Sequence, residues 1–409
     1  MRILLVTPYY YPDLGPSSPM LSMLSEDMAA AGHAVTVISA VPHFPNGIVA
    51  REYRRGLWQS NIENGVRVLR LRVPSGKRSN LIHRLLVFFV FQVLAGLSGL
   101  RMQYDLLLIT NPALETWFAY VMLGWIRRKP IILAVWDIYP DVGIQLGLFR
   151  SRLVIWLINH LERFCLLHSS AIQTLSDGLG KTLQERIPPT IPVRIIRPWL
   201  DVDALQPAER HNSFSKEHLL DDSFVIMYSG NIGYSQGLEH ILSAAHILRE
   251  HVSIKFVFVG DGVQREELVT KVQALNLENV CFIPFQPHER LTELFATADV
   301  ALVSQRAQIG MSSLPSKTFS WMAAGRPILA FAEHQGELAQ LLLREHAGLQ
   351  VEPFEVNVFV RSLLELESRS ELRKQMGRNG RSYIMQNHSR VTACDSFINL
   401  FNEVLRPSL

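Results

Sequence analysis

Several loops in this 409-residue chain place glycines, cations and carboxylates directly after apolar, β-branched runs. The run Phe224–Ser229 is followed by Gly230-Asn231-Ile232-Gly233-Tyr234-Ser235-Gln236-Gly237 and then by a helix-length segment. Glycines there let the backbone approach a ligand, and a helix start offers unpaired N–H groups to an anion such as a diphosphate. The plainer alternative is a tight strand-to-helix turn with no ligand. The spacing is not GxGxxG, which argues against a nicotinamide enzyme, and no cofactor is expected. The run Asp299–Ser304 leads into a loop with Arg306 at one end and Pro315-Ser316-Lys317 at the other. Ser313 or Ser316 could cap the helix that follows. A lysine at a helix start opposes the dipole unless an anion joins it, so Lys317 is expected either to meet a phosphate or to swing into water.

Other strand ends carry further candidates. After Pro130–Trp136 come Asp137 and Asp141, two carboxylates able to orient a sugar or to brace a neighbouring loop. After the first strand, Tyr9–Ser18 contains Gly15, Pro16 and Ser17, and Gly15 could admit a ligand to the backbone. After the second, Pro42–Gly47 holds His43, a lone imidazole that is as readily structural as acceptor-binding. Gly260 and Pro284 end the runs Ile254–Gly260 and Val280–Pro284 and are donor-side candidates as strand-end residues. No carboxylate cluster supplies the oxygen ligands of a divalent cation, so no metal site is expected.

Positioning such loops takes a parallel sheet covered by helices, and short β-branched runs alternate with helix-length segments along the whole chain. The first half gives strands at Arg2–Thr7, Ala34–Ala40, Val66–Leu71, Asp105–Thr110, Pro130–Trp136, Ala171–Leu175 and Val193–Arg197. The second gives Phe224–Ser229, Ile254–Gly260, Val280–Pro284, Asp299–Ser304, Pro327–Phe331 and Gly348–Val351. Helices are expected at Pro19–Ala31, Leu238–His251 and Arg290–Ala296 among others. The alternation restarts near residue 222, after a polar, proline-bearing hinge at 198–221. The fold class is therefore α/β, with two Rossmann-like doubly wound domains in series, and ligands are expected at strand carboxyl ends.

Residues 1–200 hold 21 Lys+Arg against 12 Asp+Glu, whereas 201–409 hold 19 against 25, so the first half alone suits an anionic partner. No basic-aromatic motif points to nucleic acid, which leaves an anionic membrane surface or a phosphorylated lipid. Leu85–Leu100 reads LLVFFVFQVLAGLSGL between Lys77, Arg78, His83, Arg84 and Arg101. It is short for a bilayer span of ~20 residues and fits either a core helix or shallow insertion with basic flanks at the headgroups. The charge asymmetry favours insertion. Three cysteines, Cys165, Cys281 and Cys394, give neither a disulfide framework nor a zinc spacing, so a reducing cytoplasm is expected.

Four of these stretches, in order, resemble glycosyltransferase family 4, most closely the branch of colanic-acid and O-antigen glycosyltransferases. They are Trp136-Asp137-Ile138-Tyr139-Pro140-Asp141, Gly230-Asn231-Ile232-Gly233 with Gln236-Gly237-Leu238, Pro315-Ser316-Lys317 with Ala323-Ala324-Gly325-Arg326-Pro327, and Met376-Gly377-Arg378-Asn379-Gly380-Arg381. The resemblance implies the GT-B arrangement, two such domains facing a central cleft. Residues 1–200 would form the acceptor- and membrane-facing domain and 201–385 the nucleotide-sugar domain, with 386–409 a helix crossing back. Where the family commonly has Arg and Lys in the glycine loop, this chain has Asn231 and Gln236. Where it has two glutamates it has Ser312 and Ser320, and where it has His it has Trp136. Diphosphate neutralisation would fall to Lys317 and Arg306, with Asn231 and Gln236 as hydrogen-bond donors. Gly230, Gly237, Pro315, Ser316 and Ser320 would line the donor, Gly15, Pro16, Ser17 and His43 the acceptor, and Asp137 or Asp141 would orient a reacting sugar. The resemblance further implies transfer with retention from a UDP- or GDP-sugar to a polyprenyl-diphosphate-linked saccharide at the inner face of a bacterial membrane. An epimerase of the same architecture would need paired acid–base groups at the donor sugar, and a non-catalytic binder would leave the donor intact.

Overall fold

The computed structural model describes the chain apart from residues 14, 16, 45, 55, 77–80, 142–143, 145–150, 308–313 and 407–409. Pro16, Lys77, Arg78, Ser312 and Ser313 therefore lie outside the described residues. The chain divides into two compact units, Met1–Trp199 with Arg390–Leu409, and Leu200–Ser389.

The first unit is built on β1 (Arg2–Val6), β2 (Ala34–Ala40), β3 (Trp58–Glu63), β4 (Val66–Leu71), β5 (Leu106–Thr110), β6 (Ile131–Val135), β7 (Ala171–Thr174) and β8 (Val193–Ile195). They form one sheet in the order β3-β4-β2-β1-β5-β6-β7-β8, parallel except for β3. Central strands such as Leu106–Thr110 and Ile131–Val135 are buried throughout, as expected of runs covered on both faces. β3 has no counterpart in the hydrophobic pattern, because its residues are largely exposed on the sheet edge. Its signal is the turn: Asn64 and Gly65 both have positive φ, the pairing a tight hairpin requires.

Helices α1 (Ser18–Ala30), α2 (Leu81–Gly99), α3 (Ala113–Ala119), α4 (Arg152–His168) and α5 (Asp177–Gln184) cover this sheet. One core holds Val87, Phe91 and Ala95 of α2 with Tyr120, Leu123 and Cys165. Full burial of one such large apolar side chain contributes roughly 1.5–3 kcal/mol.

The second unit carries β9 (Phe224–Ser229), β10 (Ile254–Val259), β11 (Val280–Ile283), β12 (Val300–Ser304), β13 (Ile328–Phe331) and β14 (Gly348–Val351). Their order is β11-β10-β9-β12-β13-β14, all parallel. The helices are α6 (Ser213–Glu217), α7 (Glu239–Ile247), α8 (Arg265–Ala274), α9 (Leu291–Thr297), α10 (Lys317–Ala323), α11 (Glu337–Glu345), α12 (Val356–Ser368) and α13 (Ser370–Asn387). Strand order reverses between β9 and β12, so the loops after these two strands flank the point where doubly wound sheets bind ligands.

A last helix, α14 (Arg390–Leu405), belongs to the first unit, where Phe397 and Phe401 share a core with Leu21 and Leu24 of α1. Arg390 grips Asp27 there, its Nη2 donating to Oδ1 at 2.7 Å. The stretch Met376–Arg381 lies in α13 within the second unit. Arg381 Nη1 donates to the Leu205 carbonyl at 3.0 Å and so pins the start of that unit. The two crossovers lie side by side, with Leu200 N–H donating to the His388 carbonyl at 2.9 Å.

Helix α2 is buried on one face and exposed on another. Val87, Phe88, Phe91 and Ala95 are buried, and Gln92 bonds α3 by donating to the Leu114 carbonyl and accepting from Phe118 N–H. Leu85, Leu86, Phe89 and Leu97 remain exposed. Among the described residues no helix is long and apolar enough to cross a membrane.

Candidate functional site

In the second unit the site grows from the end of β9. Gly230 N–H donates to the Val259 carbonyl at 2.9 Å, and Ile232 N–H to the Asp261 carbonyl at 2.8 Å, which ties the glycine loop to the loop after β10. Gly260 sits at φ 143°, and a Cβ there would fall 2.0 Å from the Gly230 carbonyl oxygen. No other residue fits, so Gly260 is fixed by this backbone approach. The glycine loop leads into a helix as expected, after one short turn of its own. Tyr234–Gln236 form a single 3₁₀ turn, Gly237 takes the left-handed conformation, and α7 begins only at Glu239.

Lys317 is the first residue of α10, and its ammonium reaches back to β9. Nζ lies 3.8 Å from the centroid of the Tyr228 ring and bonds the Tyr228 hydroxyl. That hydroxyl donates to the Asn231 carbonyl at 2.5 Å, so its lone pairs face the lysine. A Cβ on Gly230 would come 3.2 Å from Nζ, which places the cation against the glycine loop. No carboxylate pairs with it among the described residues, and burial pushes its pKa down to about 7. A partly buried ammonium with only neutral neighbours among the described residues is a candidate site for an anion.

The other donor-side residues fare differently. Arg306 forms an ion pair with Glu239, and its backbone N–H donates to the Ser235 carbonyl at 2.9 Å. Its charge is therefore already met. Burial works against the Glu239 carboxylate, but its hydrogen bonds and Arg306 hold its pKa below the usual value. Gln236 is no free donor, since its Oε1 accepts from Gly233 N–H at 3.0 Å and its Nε2 donates to Ser235 Oγ at 2.8 Å. Asn231 is exposed, with its side chain beside Gly233 and Gly262. Ser316 occupies the N-cap position of α10 but makes no side-chain cap bond, because its backbone is already helical. Ser320 stands one turn beyond Lys317 and is partly buried, as is Pro315, while Pro284 is exposed.

In the first unit, the carboxylates after β6 separate. Asp141 accepts from Arg186 Nη2 at 2.5 Å and is spent on that pair. The Asp137 carboxylate has no bond among the described residues, and desolvation by the surrounding protein raises its pKa. Trp136, where a histidine was expected from the resemblance, points inward. Its Nε1 donates to Gln173 Oε1 at 2.9 Å and its ring meets Trp199 edge-on.

The loops after β1 and β2 are joined by a residue that sequence reasoning did not single out. Asp13 is buried, and it accepts from Gly15 N–H at 2.8 Å, His43 N–H at 2.8 Å and Phe44 N–H at 3.2 Å. Burial alone would raise its pKa, but these bonds and the His43 ring hold it below the usual carboxylate range. His43 is buried too; it donates from Nδ1 to the Val41 carbonyl at 2.9 Å and stacks on Tyr9. Gly15 faces this ring cluster rather than open space, since a Cβ there would lie 2.5 Å from Tyr9 Cγ. Ser17 holds the N-cap position of α1 without a side-chain bond. Tyr228 was likewise missed, being one of several aromatics in buried strands. Asp13 sits in a Pro-Asp-Leu-Gly turn, a signal that was available.

Comparison with known proteins places this geometry. Residues 209–383 match the family model of glycosyl transferases group 1, and residues 17–199 that of the glycosyl transferase 4-like domain. Over 351 residues the chain is 28% identical to the colanic acid biosynthesis glycosyl transferase WcaI of Escherichia coli, spanning 83% of this chain and 86% of that one. It is 24% identical over 349 residues to the glycosyltransferase WbjE of Pseudomonas aeruginosa, spanning 82% and 84%. Its fold is similar to that of Anabaena HepE crystallised with UDP, at a TM-score of 0.70 and 14% identity over 98% and 100% of the chains.

Proposed function

The chain belongs to the GT-B glycosyltransferases of family 4, and we propose that it builds a bacterial surface polysaccharide from a nucleotide-diphosphate sugar. Its second unit binds the donor, and the carrying observation is Lys317, an ammonium held against the Gly230 loop without a counter-ion among the described residues. A diphosphate leaving group gathers negative charge in the transition state, and a cation already placed there stabilises that charge more than the ground state. UDP and UDP-glucose complexes of HepE support a uridine donor, and the WcaI resemblance supports polysaccharide synthesis.

Transfer proceeds with retention, the acceptor hydroxyl approaching from the leaving-group face and the departing phosphate taking its proton. Asp137, unpaired where Asp141 is not, orients the acceptor. The acceptor is a saccharide on a polyprenyl diphosphate, and the protein works at the cytoplasmic face as a peripheral enzyme. The exposed Leu85, Leu86 and Phe89 on α2 support that placement. Donor panels of UDP-, GDP- and dTDP-sugars, assayed for nucleotide-diphosphate release with a membrane lipid extract, test the reading. Release that depends on the extract and gives a glycosylated lipid supports it; binding without release at any acceptor would leave a binding protein.

A further inference from the structure

Tyr228 is the fifth residue of β9, whose side chains alternate between two cores. Val225 and Met227 enter one core, and Ile226 and Tyr228 the other, where Tyr228 is fully buried beside Phe258. Phenylalanine would fill that place equally well and would bring no hydroxyl to satisfy. We propose that Tyr228 is the positioning residue of the donor site, its hydroxyl keeping the Lys317 ammonium against the glycine loop. This rests on the donor site proposed above and names what holds its cation in place.

The hydroxyl is used from both sides. Its proton goes to the Asn231 carbonyl at 2.5 Å, which leaves only lone pairs for the Lys317 ammonium. Burial pushes the phenol well above its ordinary range, so it stays protonated and neutral. One oxygen thus registers the lysine against the loop backbone, where a Cβ on Gly230 would lie 3.2 Å from Nζ. The ring adds a second hold, with Nζ 3.8 Å from its centroid. A lysine stem is flexible and a helix start repels its charge, so without such a hold the ammonium would turn to water.

The choice of a phenol matters because of what it does not do. A carboxylate would hold the ammonium as firmly but would cancel its charge, as Glu239 does for Arg306. A neutral oxygen and a ring face fix the position and leave the whole charge for a diphosphate. Among the described residues no charged group contacts Lys317, and burial alone lowers its pKa. An acceptor that favours the protonated form therefore counts, and Tyr228 supplies it.

Calorimetry with UDP and uridine on the full chain tests this with Tyr228→Phe, which keeps the ring and removes one oxygen. UDP affinity should fall about tenfold at pH 8, the worth of one hydrogen bond to a charged group, and by less than about threefold at pH 6. Uridine affinity should not change at either pH. In the Lys317→Ala background the same substitution should change UDP affinity by less than about twofold, because the hydroxyl acts through the lysine. Tyr228→Met, which removes the ring face as well, should weaken UDP further and serves if Tyr228→Phe melts early. An equal loss at both pH values, or a loss that persists without Lys317, overturns the proposal, since the hydroxyl would then act only through the Asn231 loop. Unchanged UDP affinity in a folded Tyr228→Phe chain overturns it as well. Lys317→Ala alone separates the two levels. If it leaves UDP affinity intact, the donor reading has failed; if it weakens UDP while Tyr228→Phe does not, only the positioning role has failed.

Discussion

Asp13 in the first unit and Lys317 in the second are both charged side chains placed at strand ends, yet the protein treats them in opposite ways. Asp13 receives three backbone N–H donors and a histidine ring, and its pKa falls despite burial. Lys317 receives a phenol and an aromatic face, and burial takes its pKa to about 7. A buried charge whose bonds are complete holds a loop in place; one whose bonds are incomplete is poised for a ligand. The same contrast separates Asp141, paired to Arg186, from Asp137, and Arg306, paired to Glu239, from Lys317.

Substitutions can break this contrast. The largest effect on turnover should come from Lys317→Ala, about 100-fold or more, as for loss of one preorganised transition-state contact. Because it removes an uncompensated buried charge, its melting temperature should equal or exceed that of the native chain. Asp13→Ala should do the reverse. Stranding three N–H groups should cost about 3–9 kcal/mol in denaturant unfolding, at about 1–3 kcal/mol for each buried group left unsatisfied. Since the folded pKa of Asp13 is lowered, its contribution is present above the ordinary carboxylate pKa and is lost as pH falls through the folded value. The deficit of the variant should therefore shrink in acid.

Smaller effects separate the paired residues from the unpaired. Asp137→Asn should lower turnover about tenfold, and Asp141→Asn by less than about threefold, since an exposed pair contributes about 0–1 kcal/mol. Equal losses at the two positions would erase the distinction drawn between them.

The pH dependence sharpens the Lys317 side. With its pKa lowered from 10.5 to about 7, the unfolded chain keeps a proton that the folded chain releases between those values. The lysine's contribution to stability therefore rises with pH across that window. A bound diphosphate favours the protonated ammonium, so its affinity should fall as pH rises above about 7. Titrations from pH 6.5 to 9 should show this slope in the native chain and a flat response in Lys317→Ala.

Strand positions were legible because buried parallel strands are continuous apolar runs; Ala34–Ala40, Val66–Leu71 and Phe224–Ser229 match residue for residue. β3 was not, since an exposed edge strand carries no apolar pattern and only Asn64-Gly65 marks it. Lys317 was legible as a conflict between a cation and a helix dipole. The partners that decide function were not. Arg306 meets Glu239 across 67 positions and Asp13 meets His43 across 30, and neither pairing leaves a trace in local sequence. Gly15 and Gly260 look alike as strand-end glycines. One makes room for the Tyr9 ring and the other for the Gly230 carbonyl.

The most direct test of the account measures the binding of a nucleoside diphosphate and of its bare nucleoside to the native chain and to Lys317→Ala. UDP with uridine is the first pair to try. If Lys317 anchors the diphosphate, the variant should bind UDP at least tenfold more weakly, about 1.4 kcal/mol or more, while uridine affinity stays unchanged. Equal weakening of both ligands, or none of either, would contradict it.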